Sequence, residues 1–88
     1  MTNLTPAQIE ILTAVSQDAT PFISFSEDKA TLREDVAQLI GEYSMQKVET
    51  GYRVIRYTES GIWETREEAV QYLTDTVQDG ANFALETN

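Results

Sequence analysis

The chain of 88 residues contains neither cysteine nor histidine. Their absence removes the imidazole base, the thiolate nucleophile and the usual ligands of transition metals. Without cysteine there are also no disulfides that would indicate an oxidising compartment. Most catalytic designs are therefore excluded, and we expect a protein that is not an enzyme and that binds neither a cofactor nor a metal.

Positive charge is scarce, with six Lys and Arg against fifteen Asp and Glu, which gives a net charge of -9. This is the wrong sign for a protein that neutralises phosphates, so we expect no direct binding to nucleic acid or to anionic membranes. No apolar run approaches the roughly 20 residues that span a bilayer, and the first ten residues lack a secretory signal. These features predict a cytoplasmic protein.

Glycine is also sparse, and its four occurrences are isolated, so no glycine-rich phosphate loop is present. Hydrophobic residues make up 41% and charged residues 24% of the chain, which is typical of a globular protein and not of a disordered one. No repeat, linker or low-complexity tract divides the sequence. We therefore expect a single small acidic α+β domain over residues 1–88.

The most informative local pattern predicts a β-hairpin over residues 52–64. A three-residue turn that ends in glycine places Tyr57 opposite Trp63 and Arg56 opposite Glu64, which gives an aromatic pair and an ion pair. A two-residue turn loses both pairs, each worth roughly 0.2 to 1 kcal/mol. The longer turn is therefore the preferred prediction, with the tryptophan in the core.

A capped helix follows the hairpin. Thr65 and Glu68 match a capping box, which starts the helix at Arg66. An aspartate–glycine pair ending at Gly80 is typical of a left-handed helix stop, so the prediction is a helix over about 66–79. Its core-facing positions share one side of the helix: Ala69, Val70, Leu73 and Val77.

Two further helices are predicted in the first half of the chain. Thr5 and Gln8 form another capping-box pattern around Pro6, which predicts a helix over about 6–17. Ser26 or Thr31 can cap a second helix, which is predicted between Leu32 and Ile40 from apolar residues at helical spacing. Gly41 then either ends this helix or is tolerated one turn before its end.

Three short segments complete the prediction. Residues 22–25 are either a strand or an extended plug, and residues 81–85 are either an edge strand or a packed tail. Residues 45–48 can pair with 52–58 through a turn at 49–51. Together these patterns predict two N-terminal helices, a small antiparallel sheet built on the hairpin at about 52–64, and the capped third helix.

The acidic residues form two rows if residues are placed by their angle around the axis of each predicted helix. With Ser26 as its cap, the second helix carries Asp28, Asp35 and Glu42 at i, i+7 and i+14, with Glu34 beside them. The third helix carries Glu68, Asp75 and Asp79 at i, i+7 and i+11, away from its apolar face. The candidate protein-binding residues are therefore Asp28, Glu34, Asp35, Glu42, Glu68, Asp75 and Asp79.

A row of residues with the same charge requires an explanation, because like charges on a helix repel each other. An ordinary solvated face of a helix mixes positive and negative charges. One explanation is a binding surface for a basic partner. The other is that the acidity serves only to keep the protein in solution. Neither the spacing of the carboxylates nor that of the glycines matches a calcium-binding loop.

In size, acidity and compact α+β plan, the chain resembles the small inhibitors of phages and mobile elements, which include anti-CRISPR and anti-restriction proteins. This resemblance implies a non-enzymatic inhibitor or decoy whose acidic helices block a basic, nucleic-acid-binding surface of a partner protein. The alternative is a homodimeric or accessory-subunit module with incidental acidity. Its contact surface would lie around Tyr43, Tyr52 and Phe83.

Overall fold

The structure is a computed structural model that describes residues 3–56 and 59–87, the side chain of Glu59 excepted. Three helices and a five-stranded antiparallel sheet confirm the predicted α+β class. The order along the chain differs, however: it is helix, sheet, helix, with one short helix between the second and third strands. The elements are α1 (Pro6–Gln17), a turn of 3-10 helix (Thr20–Phe22), β1 (Ile23–Phe25), β2 (Lys29–Leu32), α2 (Glu34–Ile40), β3 (Tyr43–Val48), β4 (Gly51–Arg56), β5 (Glu59–Trp63) and α3 (Arg66–Glu86).

The first helix has the predicted boundaries and cap. The hydroxyl oxygen of Thr5 accepts a hydrogen bond from the Gln8 N–H at 3.2 Å, and the Gln8 side-chain oxygen accepts one from the Thr5 N–H at 2.9 Å. Each bond satisfies a donor that the first turn of a helix leaves without a partner. Asp18 follows the helix and accepts from the N–H and the hydroxyl of Thr20 at 3.0 and 2.7 Å, which lowers the pKa of its carboxyl.

The five strands form a meander in which each strand pairs with the next along the chain. Side chains in a strand point alternately to opposite faces of the sheet, and the face towards the helices carries the buried residues of β1 to β4. One such row crosses all five strands, with Phe25, Ala30, Met45, Val54 and Gly61 opposite one another.

The predicted start of the second helix is wrong, because Lys29–Leu32 forms strand β2. Ala30 and Leu32 are buried while Lys29 and Thr31 are exposed, and this alternation has the period of a strand. Neither Ser26 nor Thr31 caps a helix: α2 runs from Glu34 to Ile40, with Arg33 as its N-cap and Gly41, which has a φ of 101°, as its C-cap. Leu32 satisfied the helical pattern only because it is buried beside that helix.

The strands β3 and β4 confirm the predicted pairing of the segment at 45–48 with the one that follows it. Val48 lies opposite Gly51, so the turn consists of the two residues between them. Gly51 has a φ of 150°, and a Cβ atom at this position would collide with the carbonyl oxygen of Trp63. The close approach of β5 to the start of β4 therefore requires glycine here.

The predicted register of the second hairpin is wrong. Residues 59–61, assigned to a turn from the sequence, are part of β5, so that Tyr52 lies opposite Trp63 and Arg56 opposite Glu59. The predicted partner Tyr57 lies outside the described residues. Two aromatic residues are still opposite each other in this register, and the ring of Trp63 contacts that of Tyr72 in α3, with ring centroids 4.8 Å apart.

The third helix starts at Arg66 as predicted, where the Thr65 hydroxyl oxygen accepts from the Glu68 N–H at 3.2 Å. The predicted stop at Gly80 is wrong, since α3 continues past this residue to Glu86. Residues 81–85 are therefore helical. Gly80 serves packing instead of termination, because it lies against the buried ring of Tyr43.

The core lies between the sheet and the helices α1 and α3, which pack against each other. The side-chain amide oxygen of Gln78 in α3 also accepts a hydrogen bond from the N–H of Ala19, just after α1, at 3.2 Å. None of the helices within 3–56 and 59–87 combines the length and the apolar composition needed to cross a bilayer. The buried apolar residues include Leu12, Val15, Val36, Ile40, Tyr43, Met45, Val54, Leu73 and Val77.

Candidate protein-binding surface

The outward side of α3 carries an extended row of acidic residues. Glu68, Asp75 and Asp79 are all exposed, as predicted. Because the helix continues past Gly80, it adds Glu86, which is also exposed. An interval of 18 residues corresponds to five helical turns, so Glu86 has the same angular position as Glu68 and the row spans about 27 Å. We call these four residues the acidic row.

After its first turn, α3 contributes no positive charge beside the acidic row. Gln71 donates a hydrogen bond from its side-chain nitrogen to the Asp75 carboxylate at 2.9 Å. The basic residue of α3, Arg66, lies in its first turn, where its guanidinium donates to the Ser26 carbonyl at 3.2 Å and lies 5.9 Å from the centre of the Phe25 ring. From Glu67 to the end of α3 the sequence contains no Lys or Arg.

A large apolar side chain borders the acidic row. Phe83 is 66% exposed, one turn beyond Asp79 along the helix. It lines a shallow groove of about 360 Å³ between α3 and the sheet, together with Asp79, Gly80, Tyr43 and Arg56. An exposed aromatic side chain beside charged residues is typical of a protein-binding surface, where aromatic anchors are enriched.

The acidic row predicted for the second helix is wrong, because its members belong to separate elements. Asp28 lies in the turn before β2, where its carbonyl oxygen accepts from the Lys47 N–H at 2.6 Å. Asp35 is in the first turn of α2, and Glu42 follows the end of that helix. Glu34 and Glu42 both line a shallow groove of about 390 Å³ beside α2, and Glu34 and Asp35 are adjacent in the first turn of that helix.

Asp35 is neutralised locally. Its two carboxylate oxygens accept hydrogen bonds from the Nε and a terminal nitrogen of Arg33 at 2.6 and 2.8 Å. This bidentate pair lowers the pKa of the Asp35 carboxyl and raises that of the Arg33 guanidinium. The arginine also lies 4.7 Å from the centre of the Phe22 ring. Asp35 therefore adds little negative charge to the surface.

The uncovered face of the sheet has a different character from α3. One row of residues crosses it as Ser24, Thr31, Ser44, Ile55 and Ser60. The next row includes the exposed bases Lys29 and Arg53, and Ile62, which is 50% exposed. This face thus carries two exposed bases, whereas α3 carries none after Arg66.

The alternative contact surface around Tyr43, Tyr52 and Phe83 is not continuous. Tyr43 is only 2% exposed and packs inside the core, so its predicted surface role is wrong. Tyr52 is half-buried opposite Trp63, whereas Phe83 is exposed on α3. The two remaining members lie on different elements of the fold.

No group of three or more acidic residues within the described part of the chain is arranged to hold a metal ion. Comparison with family models, with curated proteins and with solved structures finds no match to this chain. The arrangement of charge and exposed apolar surface is consequently the basis on which function can be argued.

Proposed function

We propose that this protein is a non-enzymatic inhibitor or decoy that binds a basic protein surface through the acidic row of α3. The observation that carries the proposal is a row of four exposed carboxylates on one side of a 21-residue helix, with Phe83 exposed beside it. The carboxylates supply a field of one sign, and the phenyl ring supplies an apolar anchor.

The two features would contribute to binding in different ways. Complementary charge accelerates association and excludes acidic partners, and its effect falls as salt is added. Burial of an aromatic ring at an interface is less sensitive to salt, because it removes apolar surface from water. We therefore expect binding that weakens with salt without disappearing.

The charge density of the acidic row bears on the kind of surface it fits. Four charges over about 27 Å is roughly half the linear density of one DNA strand, which carries a phosphate about every 3.4 Å. The acidic row would thus match the positive charges of only part of a nucleic-acid-binding groove. Carboxylates four and seven residues apart on a helix are about 6 to 10 Å apart along its axis. The acidic row therefore fits best a partner that presents a few Lys or Arg side chains at this spacing.

The test is affinity capture from lysate across a series of salt concentrations, with two variants of equal charge. The first carries Glu68→Gln, Asp75→Asn, Asp79→Asn and Glu86→Gln, and the control carries Glu10→Gln, Glu27→Gln, Glu49→Gln and Glu64→Gln, all at exposed positions. Each variant has a net charge of -5 instead of -9.

Capture of a basic protein by the wild type and the control, with loss in the first variant, supports the proposal. Equal loss in both variants would show that only net charge matters. If no basic protein is captured in stoichiometric amount at low salt, the proposal is wrong.

A homodimer remains a second candidate function, favoured by the 66% exposure of Phe83. An isolated exposed ring of this size would be covered if two copies met at the end of α3. Sedimentation at two protein concentrations and two salt concentrations separates the candidates, because a dimer held by apolar contact persists at high salt. Loss of the dimer in Phe83→Ala would assign the contact to this ring.

A further inference from the structure

The two edges of the sheet are protected to different degrees. At one edge, β1 has only three residues, and the N–H of Ile23 donates to the carbonyl of Thr20 in the preceding turn of 3-10 helix. At the other edge, β5 has five residues, and no loop within residues 3–56 and 59–87 bonds to its outer side. Unpaired N–H and C=O groups at an edge can pair with another strand, so β5 is the edge that is open to addition.

The backbone direction of β5 follows from its contact with β4. The carbonyl oxygen of Trp63 lies against Gly51 in β4, where it leaves no room for a side chain. Successive residues of an edge strand direct their N–H and C=O groups alternately towards the neighbouring strand and away from it. Gly61 and Trp63 therefore bond to β4, whereas Ser60 and Ile62 direct their backbone groups to the outer edge.

The usual devices that protect an edge are missing from the middle of β5. Residues 60–63, with the sequence Ser-Gly-Ile-Trp, contain neither a charged residue nor a proline. The pairing of β4 with β5 is continuous over five residue pairs, which excludes a bulge. Ser60 is exposed and Ile62 is 50% exposed. Natural edges are blunted by charges, proline, bulges or covering loops, so a second chain has access to this one.

We propose that β5 pairs with β5 of a second copy in antiparallel orientation, which joins the two sheets into one. With the two-fold axis at Gly61, Ser60 of each copy lies opposite Ile62 of the other. Both residues direct their N–H and C=O groups outward, so each such pair exchanges two hydrogen bonds. The outward groups of β5 are thus matched one to one by those of a second copy, as a closed two-fold dimer requires.

The charges at the ends of β5 determine the orientation of the pair. Glu64, which follows β5, is exposed. A parallel pair would place the two Glu64 residues side by side, where their charges repel. In the antiparallel pair, each Glu64 lies beside the start of the other strand, where the register places Arg56 opposite Glu59 and their formal charges sum to zero. The antiparallel orientation therefore avoids the contact between like charges.

The net charge determines how this dimer responds to salt. Each copy carries a net charge of -9, so two copies repel each other at low ionic strength. Added salt screens this repulsion but has little effect on backbone hydrogen bonds or on the covering of Ile62. We expect the dimer to strengthen with salt, whereas binding of the acidic row to a basic partner weakens. The dimer does not depend on the proposed role of the acidic row.

Sedimentation equilibrium of the full chain tests the proposal. One pair of short strands is a small contact, and small contacts are weak, so the chain is measured up to about 1 mM. We expect a monomer–dimer equilibrium whose dissociation constant is several-fold lower in about 500 mM than in about 50 mM sodium chloride.

Two variants at one position assign the contact to the edge. Ile62→Pro removes an outward N–H and leaves the bonds to β4 in place. It should weaken the dimer by about tenfold or more, because one hydrogen bond is lost on each side of the axis. Ile62→Val keeps the N–H and suits a strand, so it should dimerise as the wild type does. Phe83→Ala should also dimerise, which separates this dimer from one at the end of α3.

Amide hydrogen exchange tests the unchanged chain, so the result does not rest on the folding of the proline variant. In the dimer the N–H groups of Ser60 and Ile62 are bonded to the other copy, whereas those of Gly61 and Trp63 are bonded to β4 in either state. Exchange at Ser60 and Ile62 should therefore slow by several-fold between about 50 μM and about 1 mM protein in about 500 mM salt. Exchange at Gly61 and Trp63 should be slow at both concentrations.

A chain that remains monomeric at about 1 mM in both salt concentrations would overturn the proposal. A dimer that persists in Ile62→Pro, or exchange at Ser60 and Ile62 that does not change with protein concentration, would overturn it as well. Loss of the dimer in Ile62→Pro, its retention in Ile62→Val and Phe83→Ala, and concentration-dependent protection of the two outward amides would support it.

Discussion

A Cβ atom at Gly80 would lie 2.7 Å from the phenol oxygen of Tyr43 and 3.4 Å from the ring carbon that bears it. Gly80 is inside α3, and Tyr43 is the first residue of β3, so this contact sets how closely the long helix approaches the sheet. Tyr43 is 2% exposed and cannot turn out into solvent. The absence of a methyl group at Gly80 therefore allows the close packing of α3 on the sheet.

Gly80→Ala should destabilise the protein even though alanine is the better helix former. Overpacking in a core costs about 1 to 3 kcal/mol, whereas replacing glycine by alanine in a helix contributes about 1 kcal/mol of stability. We expect a lower free energy of unfolding in urea. Asn82→Ala, at an exposed position of the same helix, should not show this loss.

A double-mutant cycle assigns the cost to the contact with Tyr43. Tyr43→Phe removes the phenol oxygen, so it should be less harmful in the Gly80→Ala background than in the wild type. Additive effects of the two substitutions would show that the steric contact does not cause the loss.

Thr65→Ala should lower stability by about 1 kcal/mol, within the range of 0.5 to 2 kcal/mol for the loss of a helix cap. The Thr65 hydroxyl accepts from the Glu68 N–H at 3.2 Å and donates to the Glu68 carboxylate at 2.9 Å. For a domain of this size the melting temperature should fall by about 4 to 8 °C. Thr65→Ser keeps the hydroxyl and is the control. A melting temperature equal to that of the wild type in Thr65→Ala would contradict the role of this cap.

The contribution of the Arg33–Asp35 pair should depend on pH. The pair lowers the pKa of Asp35 in the folded state, so its stabilisation is present above the ordinary pKa of aspartate, near pH 4, and is lost as the pH falls through the folded value. Arg33→Gln should raise the pKa of the Asp35 carboxyl towards its ordinary range. Both effects are measured by ¹³C NMR titration of the carboxyl and by melting at several pH values.

Asp35→Asn is the matched control for this pair, because it removes the titrating group and should abolish this part of the pH dependence. If the carboxyl pKa of Asp35 is the same in the wild type and in Arg33→Gln, the bidentate contact does not form in solution.

Local signals in the sequence defined the starts of α1 and α3, because Thr5 and Thr65 form caps with residues three positions away. The ends and registers were harder to predict because they depend on distant residues. Gly80 has the same local neighbours as a helix stop, but the residues after it pack on the core as a helix, with Ala81 buried and Ala84 and Leu85 partly buried. Gly61 likewise reads as a turn residue, although in the structure it lies within β5, opposite Val54.

The candidate surface was predictable to the same extent. Glu68, Asp75 and Asp79 belong to a helix whose start was correctly predicted, and they lie on one exposed face. Glu86 was missed with the last turns of that helix. Asp28 and Glu42 were grouped by a helical period across a segment that contains a strand, where alternation of Ala30 and Leu32 with exposed neighbours was the overlooked signal.

The central claim is that the side of α3 with the acidic row contacts a basic partner. The two most exposed large apolar side chains among residues 3–56 and 59–87 test it directly. Phe83 borders the row, whereas Ile62 lies on the uncovered face of the sheet. Each is replaced in turn by the photoreactive residue p-benzoylphenylalanine, and crosslinking is measured in lysate at low salt. We expect position 83, and not position 62, to crosslink to a basic protein, with loss of the product when the acidic row is neutralised. Crosslinking from position 62 alone, or no product from position 83, would contradict the claim.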